Sequence, residues 1–345
     1  MSNIKEIAKE VGISSASVSI YLNNRDTNRV SSKTKRKIDE AVVKLNYRKN
    51  QFASSLSSDK SYIIGVIIPT IMSLFQNAYT NTLLSGVQVK LSEHGYSLLF
   101  FPSSATSSIE IVKEQLENSA GCDGFLLFST GFCSESQIRK NITALENTGK
   151  PFVTLNIPEV DEPVNQILID GLNEAQGVEY LLKKGHEKIL IILGRKGGEH
   201  TKQIEKHCKR MFEEYNLELP PDLIKFGNYC SDESRIITSE VLAEHNDITG
   251  VCCMSDLMAS GSMCAIRKSG ASIPEDISVI GRNNSEYSRV SVPALTTIDL
   301  HMQEAGLNAA DLLLDILKRS GTSRKVKMKA NLIERDSVAE RRIRC

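Results

Sequence analysis

No apolar run in this chain approaches the ~18 residues needed to cross a bilayer; the best, YIIGVIIPTI and ILIIL, have strand length. The opening MSNIKEIAKE lacks an apolar h-region, so no secretory signal is expected. CxxC spacing is missing as well. The eight cysteines are scattered, and Cys252 and Cys253, inside the apolar run GVCCM, read as buried free thiols. A reduced, cytoplasmic protein with no membrane contact is expected. HExxH, GxSxG and clustered Cys/His are absent, and the six histidines are dispersed. GRKGGEH follows an apolar run but lacks G-x-G-x-x-G spacing, and no G-K-[ST] follows any glycine run. SSDK fits S-x-x-K only in a linker-like stretch. No enzyme, cofactor or metal is expected.

Net charge is lacking too, yet its zero hides an asymmetry. Residues 1–60 hold twelve Lys/Arg against six Asp/Glu, a surplus of six, so the remainder carries a deficit of six. A small basic head on a larger acidic body points to a polyanionic partner, although solvated helix faces would give the same count. With 345 residues, 41% of them hydrophobic, more than one domain is favoured and sizeable cores are within reach.

Within the head, Ile4, Ile7, Ala8 and Val11 fall at i, i+3, i+4 and i+7, one stripe of a helix. Asn3 can cap it, with Glu6 reaching back, and Gly12 supplies a left-handed stop. Ser14 can cap a second helix whose inward stripe is Val18, Tyr21 and Leu22. A third runs from a Ser31 or Ser32 cap through Ile38, Ala41, Val42 and Leu45 to a terminator at Asn46. Two short helices joined by a tight glycine turn, with a third behind them, match a helix-turn-helix unit. The second helix is rich in serine, a mediocre helix former. With Val18, Tyr21 and Leu22 inward, Ser15, Ala16, Ser19 and Ile20 are left near the outside. Small side chains let the backbone approach a surface closely, and hydroxyls can bond phosphates or base edges. A plain surface helix is the alternative; the basic charge favours DNA.

The stretches NIKEIAKEVGISSASVSIYLN and VSSKTKRKIDEAVVKLNYRKNQFASSL closely resemble the head of the lactose/galactose repressor family of bacterial transcription regulators. The likeness continues through YIIGVIIP, CDGFLLFS, KKGHEKILIILG, SDLMASG, IPEDISVIGRNN and PALTTIDL, and so covers essentially the whole chain. It implies base reading by Ser15 and Ala16, and phosphate contacts from the hydroxyls of Ser17 and Ser19. Asn23, Arg29, Ser31, Tyr47, Asn50 and Ala53 join the DNA-contacting set on the same grounds. Ile20 departs from the pattern, which usually has arginine there. An isoleucine cannot pair with guanine, but it can pack on a thymine methyl, as can Ala16.

The serine-rich tail after the third helix has linker composition. Phe52 and Leu56, apolar at i and i+4, are more than a linker needs. The resemblance implies a hinge helix that orders on DNA and wedges Leu56 into the minor groove, as its counterpart does from the second protomer. Lys49 replaces the proline usual before that hinge. Expected bounds are 1–48 for the head, 49–60 for the hinge and 61–345 for the body.

In the body, apolar strands alternate with amphipathic helices, the mark of parallel sheets covered on both faces. Eleven or so strands are too many for one tidy sheet. The expected fold is a small all-α helix-turn-helix head plus an α/β body of two doubly wound parallel-sheet lobes, which the resemblance implies to be periplasmic-binding-protein-like with three crossings between lobes. On that basis lobe one spans about 61–158 and 292–320, and lobe two about 159–291 and 321–345.

Open α/β sheets bind ligands beyond the carboxyl ends of their strands. The loops there contain Thr70, Ser73, Asn77, Tyr79, Ser129, Asn156, Tyr229, Asp256, Asn283 and Asn284. By resemblance, Tyr229 stacks on an effector and Asp256 contacts it. A stacking aromatic among hydrogen-bonding groups suits a sugar or nucleobase. Three departures stand against a standard ligand. Ile204 lies where the pattern has arginine, Asn283 and Asn284 replace paired aspartates, and Arg282 replaces an aromatic. Either the effector differs from the usual sugars and purines or the pocket has lost its ligand. The expected whole is a homodimeric regulator, a repressor sooner than an activator, on a near-palindromic DNA operator, modulated by a small-molecule effector. Its rival is a solute-binding receptor that does not touch DNA, against which the basic head argues.

Overall fold

The structure, a computed structural model, describes residues 3–23, 25–47, 60–68, 75, 78–101, 121–128, 133–155, 157, 163–170, 175–319 and 323–341. The chain divides into two compact units, Met1–Ser61 and Tyr62–Cys345.

The first unit has three helices, α1 (Ile4–Val11), α2 (Ser15–Asn23) and α3 (Ser32–Lys44). Asn3 caps α1 by accepting from the Glu6 amide at 3.1 Å, while its own side-chain amide donates to the Glu6 carboxylate at 3.4 Å. Gly12 ends the helix at φ 75°, its amide on the Ala8 carbonyl at 2.9 Å. A side chain at that φ would be strained, which is why the tight turn uses glycine. Ser14 caps α2 through the Ser17 amide at 3.2 Å. Ser31, not Ser32, caps α3, and Asn46 is left-handed at φ 47°. Ile7, Val18 and Ile38 are fully buried and meet Ala8, Tyr21, Val30 and Ala41 in one core. Three stripes read from sequence thus converge into one core within residues 4–47.

The second unit holds two six-stranded sheets. In the first, β1 (Ile63–Ile67), β2 (Ser97–Phe101), β3 (Gly124–Phe128), β4 (Phe152–Leu155), β5 (Asn165–Asp170) and β11 (Lys325–Lys329) run in the order β11-β5-β4-β3-β1-β2, all parallel. In the second, β6 (Ile189–Leu193), β7 (Ile224–Phe226), β8 (Gly250–Cys253), β9 (Ser278–Arg282), β10 (Thr296–Asp299) and β12 (Asn331–Ile333) run β12-β10-β9-β8-β6-β7. Only β12 is antiparallel, to β10. Every residue of β3, β6 and β9 is buried, as strands covered on both faces must be.

The lobe limits differ from the sequence expectation in three places. β5 and β11, expected in lobe two, belong to the first sheet, and β10, expected in lobe one, belongs to the second. The cause is visible in the pairing: β11 extends the first sheet beside β5, with Val326 opposite Ile167. The alternating exposed lysines of KVKMK gave it no apolar run to be recognised by. The chain still crosses between lobes three times, at 170–175, 299–302 and 329–331.

Helices cover the sheets. α4 (Ala78–Glu93) and α11 (Met302–Lys318) cross at very close range in the first lobe. A Cβ on Gly86 would lie 2.0 Å from the Gln303 carbonyl oxygen, and one on Gly306 2.1 Å from that of Leu83. α5 (Glu135–Glu146) opens on a capping box of Ser134 and Gln137. In the second lobe α6 (Gln176–Lys183), α7 (Glu199–Glu214), α8 (Ser231–Glu244), α9 (Asp256–Lys268) and the short α10 (Glu286–Val290) complete the layers. The C-terminal segment is laced across this lobe: Ser337 Oγ donates to the Val279 carbonyl at 2.5 Å, and His186 Nε2 meets that of Ala339 at 2.9 Å. Among the described residues no helix is long and apolar enough to cross a membrane, no Cys/His/Asp/Glu group could hold a metal, and none of the seven cysteines is in a disulfide.

Candidate DNA-reading face and effector cleft

Along α2, Ala16 is exposed and Ser15, Ser17, Ser19 and Ile20 are half-buried, so the structure brings the expected reading residues onto one outward strip. Ser17 is partly spoken for, its hydroxyl 2.9 Å from that of Ser14. Arg29 is exposed. Ser31 spends its hydroxyl on its cap, 2.8 Å from Thr34 Oγ1. Tyr47 is half-buried, and burial raises its phenol above the ordinary value. The Asn23 side chain and the expected contacts Asn50, Ala53 and Leu56 lie outside the described residues.

Beside α2 stands a cluster that sequence spacing did not show. The Tyr21 hydroxyl donates to Asp39 at 2.6 Å, and Arg25 pairs with the other oxygen of Asp39 at 3.0 Å. Arg25 and Lys35 flank the Tyr21 ring at 5.7 and 5.8 Å, and Lys35 Nζ donates to the Arg25 carbonyl. The Tyr21 phenol is raised, first by its bond to Asp39 and then by burial. A buried core tyrosine thereby holds two surface cations in place next to the second helix. The partners lie 14 and 18 residues apart, beyond any helical period.

In the second unit, several of the expected cleft residues lie in described loops beyond the strand ends. Tyr229 follows β7 in a left-handed pair with Asn228, at φ 58° and 49°. Its ring lies against the backbone at Gly194, where a Cβ would come within 2.4 Å of it. It packs on buried clusters of both lobes, one that contains Ile67, Phe125 and Leu127 and another that contains Leu190, Ile192 and Met258. Burial pushes its phenol up to about 12. Tyr79, at the start of α4 in the first lobe, is raised further for the same reason. The lobes also meet through the backbone, the Glu199 amide donating to the Cys133 carbonyl at 3.1 Å.

Arg282, the last residue of β9, is 7% exposed and lies within electrostatic reach of Tyr79, Cys252, Tyr229 and Cys208. Burial lowers its pKa, yet an arginine remains charged. Its side chain borders a cavity of about 20 Å³, which it shares with Ile204 and the first turn of α6.

Asp256 is tied down by the chain itself. Only 1% exposed, it accepts from the Ser285 amide at 2.6 Å, the Ser285 hydroxyl at 2.9 Å and Thr297 Oγ1 at 2.5 Å. Both oxygens are thus occupied in fastening the segment after β9, and burial raises its pKa to about 6 against the pull of those bonds. Asn283, half-buried at φ 100°, is turned by the backbone in the same loop. Asn284 is engaged on both sides, with Asp299 at 2.8 Å and Arg335 at 2.7 Å. Ser73, Ser129 and Asn156 lie outside the described residues, as do Thr70 and Asn77. The residues that fasten this loop, Ser285, Thr297, Asp299 and Arg335, were not expected. Each joins through a partner 15 to 51 positions away, a distance no local pattern encodes.

Residues 3–50 match the family described as "Bacterial regulatory proteins, lacI family", and residues 178–338 match the "Periplasmic binding protein-like domain". The chain is 30% identical to the HTH-type transcriptional repressor PurR of Aliivibrio fischeri (strain ATCC 700601 / ES114), over 99% of this chain and 99% of that protein. Among solved structures, it is similar to a Lac repressor dimer bound to operator and the anti-inducer ONPF, with TM-score 0.84 and 22% identity over 98% of this chain and 99% of that one. It is also similar to a LacI family regulator from Enterococcus faecium with bound ribose, with TM-score 0.68 and 25% identity over 81% of this chain and 100% of that one.

Proposed function

This chain belongs to the lacI family of bacterial regulatory proteins, and from that premise we propose that it represses transcription by binding a near-palindromic operator as a dimer, under control of a small molecule in the cleft between its lobes. The observation that carries the reading is the outward strip of α2. Ala16, Ser15, Ser19 and Ile20 are presented by a turn that only a left-handed residue closes, on a unit with its own buried core. In the major groove, Ser15 and Ala16 read bases, Ser17 and Ser19 meet phosphates, and Ile20 covers a thymine methyl. Arg25 and Lys35, held by Tyr21 and Asp39, add fixed positive charge beside the strip. Asn23, Arg29, Ser31, Tyr47, Asn50 and Ala53 supply backbone contacts, and Leu56 the minor-groove wedge. The protein works in the cytoplasm, where its operator is.

Two-fold operators demand two-fold proteins. Tyr287, Val290 and Val292 leave an exposed apolar face on and just after α10, which suits a second copy of the chain. In the cleft, Tyr79, Tyr229 and Asn283 are the side chains best placed to meet an effector, with Ser73, Ser129 and Asn156 joining from loops of the first lobe. Asp256 serves indirectly, by fixing the loop that carries Asn283. Retardation of genomic fragments by the full chain, weakening steeply with salt, tests the reading. A protein lacking residues 1–61 that bound the same fragments as tightly would refute it.

A further inference from the structure

We propose that Arg25 grips a backbone phosphate of the DNA and that Tyr21 is the positioning residue that holds it there. This rests on the reading that α2 lies against DNA, and it gives one of the two cations beside that helix a defined ligand, the phosphate oxygens.

The geometry is a clasp between the reading helix and α3. Tyr21, the residue after Ile20 on α2, is only 4% exposed, and its ring belongs to the core of the head. Its hydroxyl nevertheless donates to Asp39 Oδ2 of α3 at 2.6 Å. The other oxygen of Asp39 accepts from Arg25 Nη1 at 3.0 Å. Arg25 stands in the turn directly after α2, with its guanidinium carbon 5.7 Å from the centre of the Tyr21 ring. Lys35, near the start of α3, comes over the same ring at 5.8 Å and donates to the Arg25 carbonyl at 3.0 Å. The side chain and the backbone of Arg25 are therefore each tied to α3, and the tyrosine is the anchor for both ties.

The tie to Asp39 does not use up the arginine. A guanidinium has five N–H donors, Asp39 accepts at Nη1, and the side chain remains 63% exposed. Arg25, Lys35 and Asp39 together carry a net charge of +1, so the group still attracts an anion. The segment that joins α2 to α3 also carries the exposed Arg29, of the same sign. A carboxylate behind a guanidinium fixes its plane, and a fixed plane suits the paired oxygens of a phosphate. Phosphate contacts position a protein on the duplex and carry no sequence information. Two neighbours on α2 thus do different things: Ile20 acts on which bases are read, and Tyr21, through Arg25, on how tightly any duplex is held.

The test is titration of the full chain, at salt from about 50 to 200 mM, with a duplex selected from a randomised pool and with a random duplex of equal length. Arg25→Gln, at an exposed position, should lower the slope of log affinity against log salt by about 0.9 on both duplexes. Over that fourfold range the parent then loses about 3.5-fold more affinity than the variant. Tyr21→Phe keeps the ring in the core and removes only the O–H. It should weaken both duplexes by about threefold or more in the parent, and by less than about 1.5-fold once Arg25→Gln is present. A tyrosine that merely held the core together would cost the same in both backgrounds. A salt slope unchanged in Arg25→Gln, equal effects of Tyr21→Phe in both backgrounds, or a loss confined to the selected duplex overturns the proposal and leaves the reading of α2 standing. A parent chain that holds the selected duplex no more tightly than the random one overturns that reading itself.

Discussion

Asn284 ties the loop after β9 to the second crossover between lobes, its side-chain amide donating to Asp299 Oδ2 at 2.8 Å. The other oxygen of Asp299 accepts from the His301 amide at 2.7 Å, and His301 Nε2 lies 2.9 Å from Asn331 Nδ2 at the third crossover. The Ala330 amide in turn donates to Asp170 at the first, at 3.0 Å. One run of hydrogen bonds thus connects the cleft loop with all three hinges, which is what a ligand needs if it is to alter the relation of the lobes. Asp299→Ala strands the Asn284 amide and the His301 N–H. A loss of about 1–3 kcal/mol in urea unfolding is expected. Operator titrations with and without effector should show the free protein's affinity kept and the effector's influence reduced. An unchanged effector response would remove this route of coupling.

Two buried groups give stability opposite dependences on pH. The folded pKa of Asp256 is raised, from 3.8 to about 6, chiefly by burial. The stability linked to it is full below 3.8 and is lost as pH rises through 6, about 3 kcal/mol in all for a shift of about two units. His186 is the reverse. Burial lowers its pKa below 6.5, so its contribution is present above 6.5 and is lost as pH falls through the depressed value. Urea unfolding from pH 4 to 8 should therefore show Asp256→Asn flattening a decline in stability between pH 4 and 6.5. His186→Gln should remove a part that falls toward acid. A slope unchanged by Asp256→Asn would mean its carboxyl titrates as it does in water.

How much of this was legible in the sequence follows from range. The head was read almost to the residue, because Asn3, Gly12, Ser31 and Asn46 act on amides and carbonyls within four positions. The two-sheet body was legible from its all-apolar strands, but β11 was misassigned because its side chains alternate with water on one face. For Asp256 the resemblance implies a ligand contact and says nothing of its partners within the chain. Only the fold shows Ser285 and Thr297 closing on it from 29 and 41 residues away. Arg282 was noticed only as a departure from pattern. That it borders the same cavity as Ile204 depends on β9 and α7 being packed together.

The crossing of α4 and α11 allows no side chain at its centre. Gly86→Ala and Gly306→Ala each place a carbon about 2 Å from a backbone oxygen of the other helix, and neither oxygen can rotate aside. The helices must separate, with a cost at or above the ~1–3 kcal/mol of ordinary overpacking. Gly149, just after α5 and with no described atom within 4 Å of an added Cβ, is unsuitable at φ 63°, so Gly121, where no described residue comes within 4 Å of an added Cβ, is the control. Thermal unfolding should put both helix variants several degrees below the parent and Gly121→Ala close to it. Equal midpoints for all three would show that the crossing can yield.

Ile20 carries the sharpest prediction for DNA. It sits half-buried on the outward strip of α2, two residues after the fully buried Val18 and next to Tyr21, so its backbone is fixed by the core while its side chain lies on the face proposed to meet DNA. An aliphatic side chain there discriminates by contact with a thymine methyl and gives a guanine no hydrogen bond. Ile20→Arg leaves the core alone and substitutes a bidentate donor suited to guanine O6 and N7, a change of about 1–3 kcal/mol in base discrimination. Selection from randomised operators should return a half-site altered at one or two adjacent positions, with guanine replacing thymine and the rest retained. Tighter binding to the parental site with no change in sequence would mean the new cation meets phosphate, and that position 20 does not read bases.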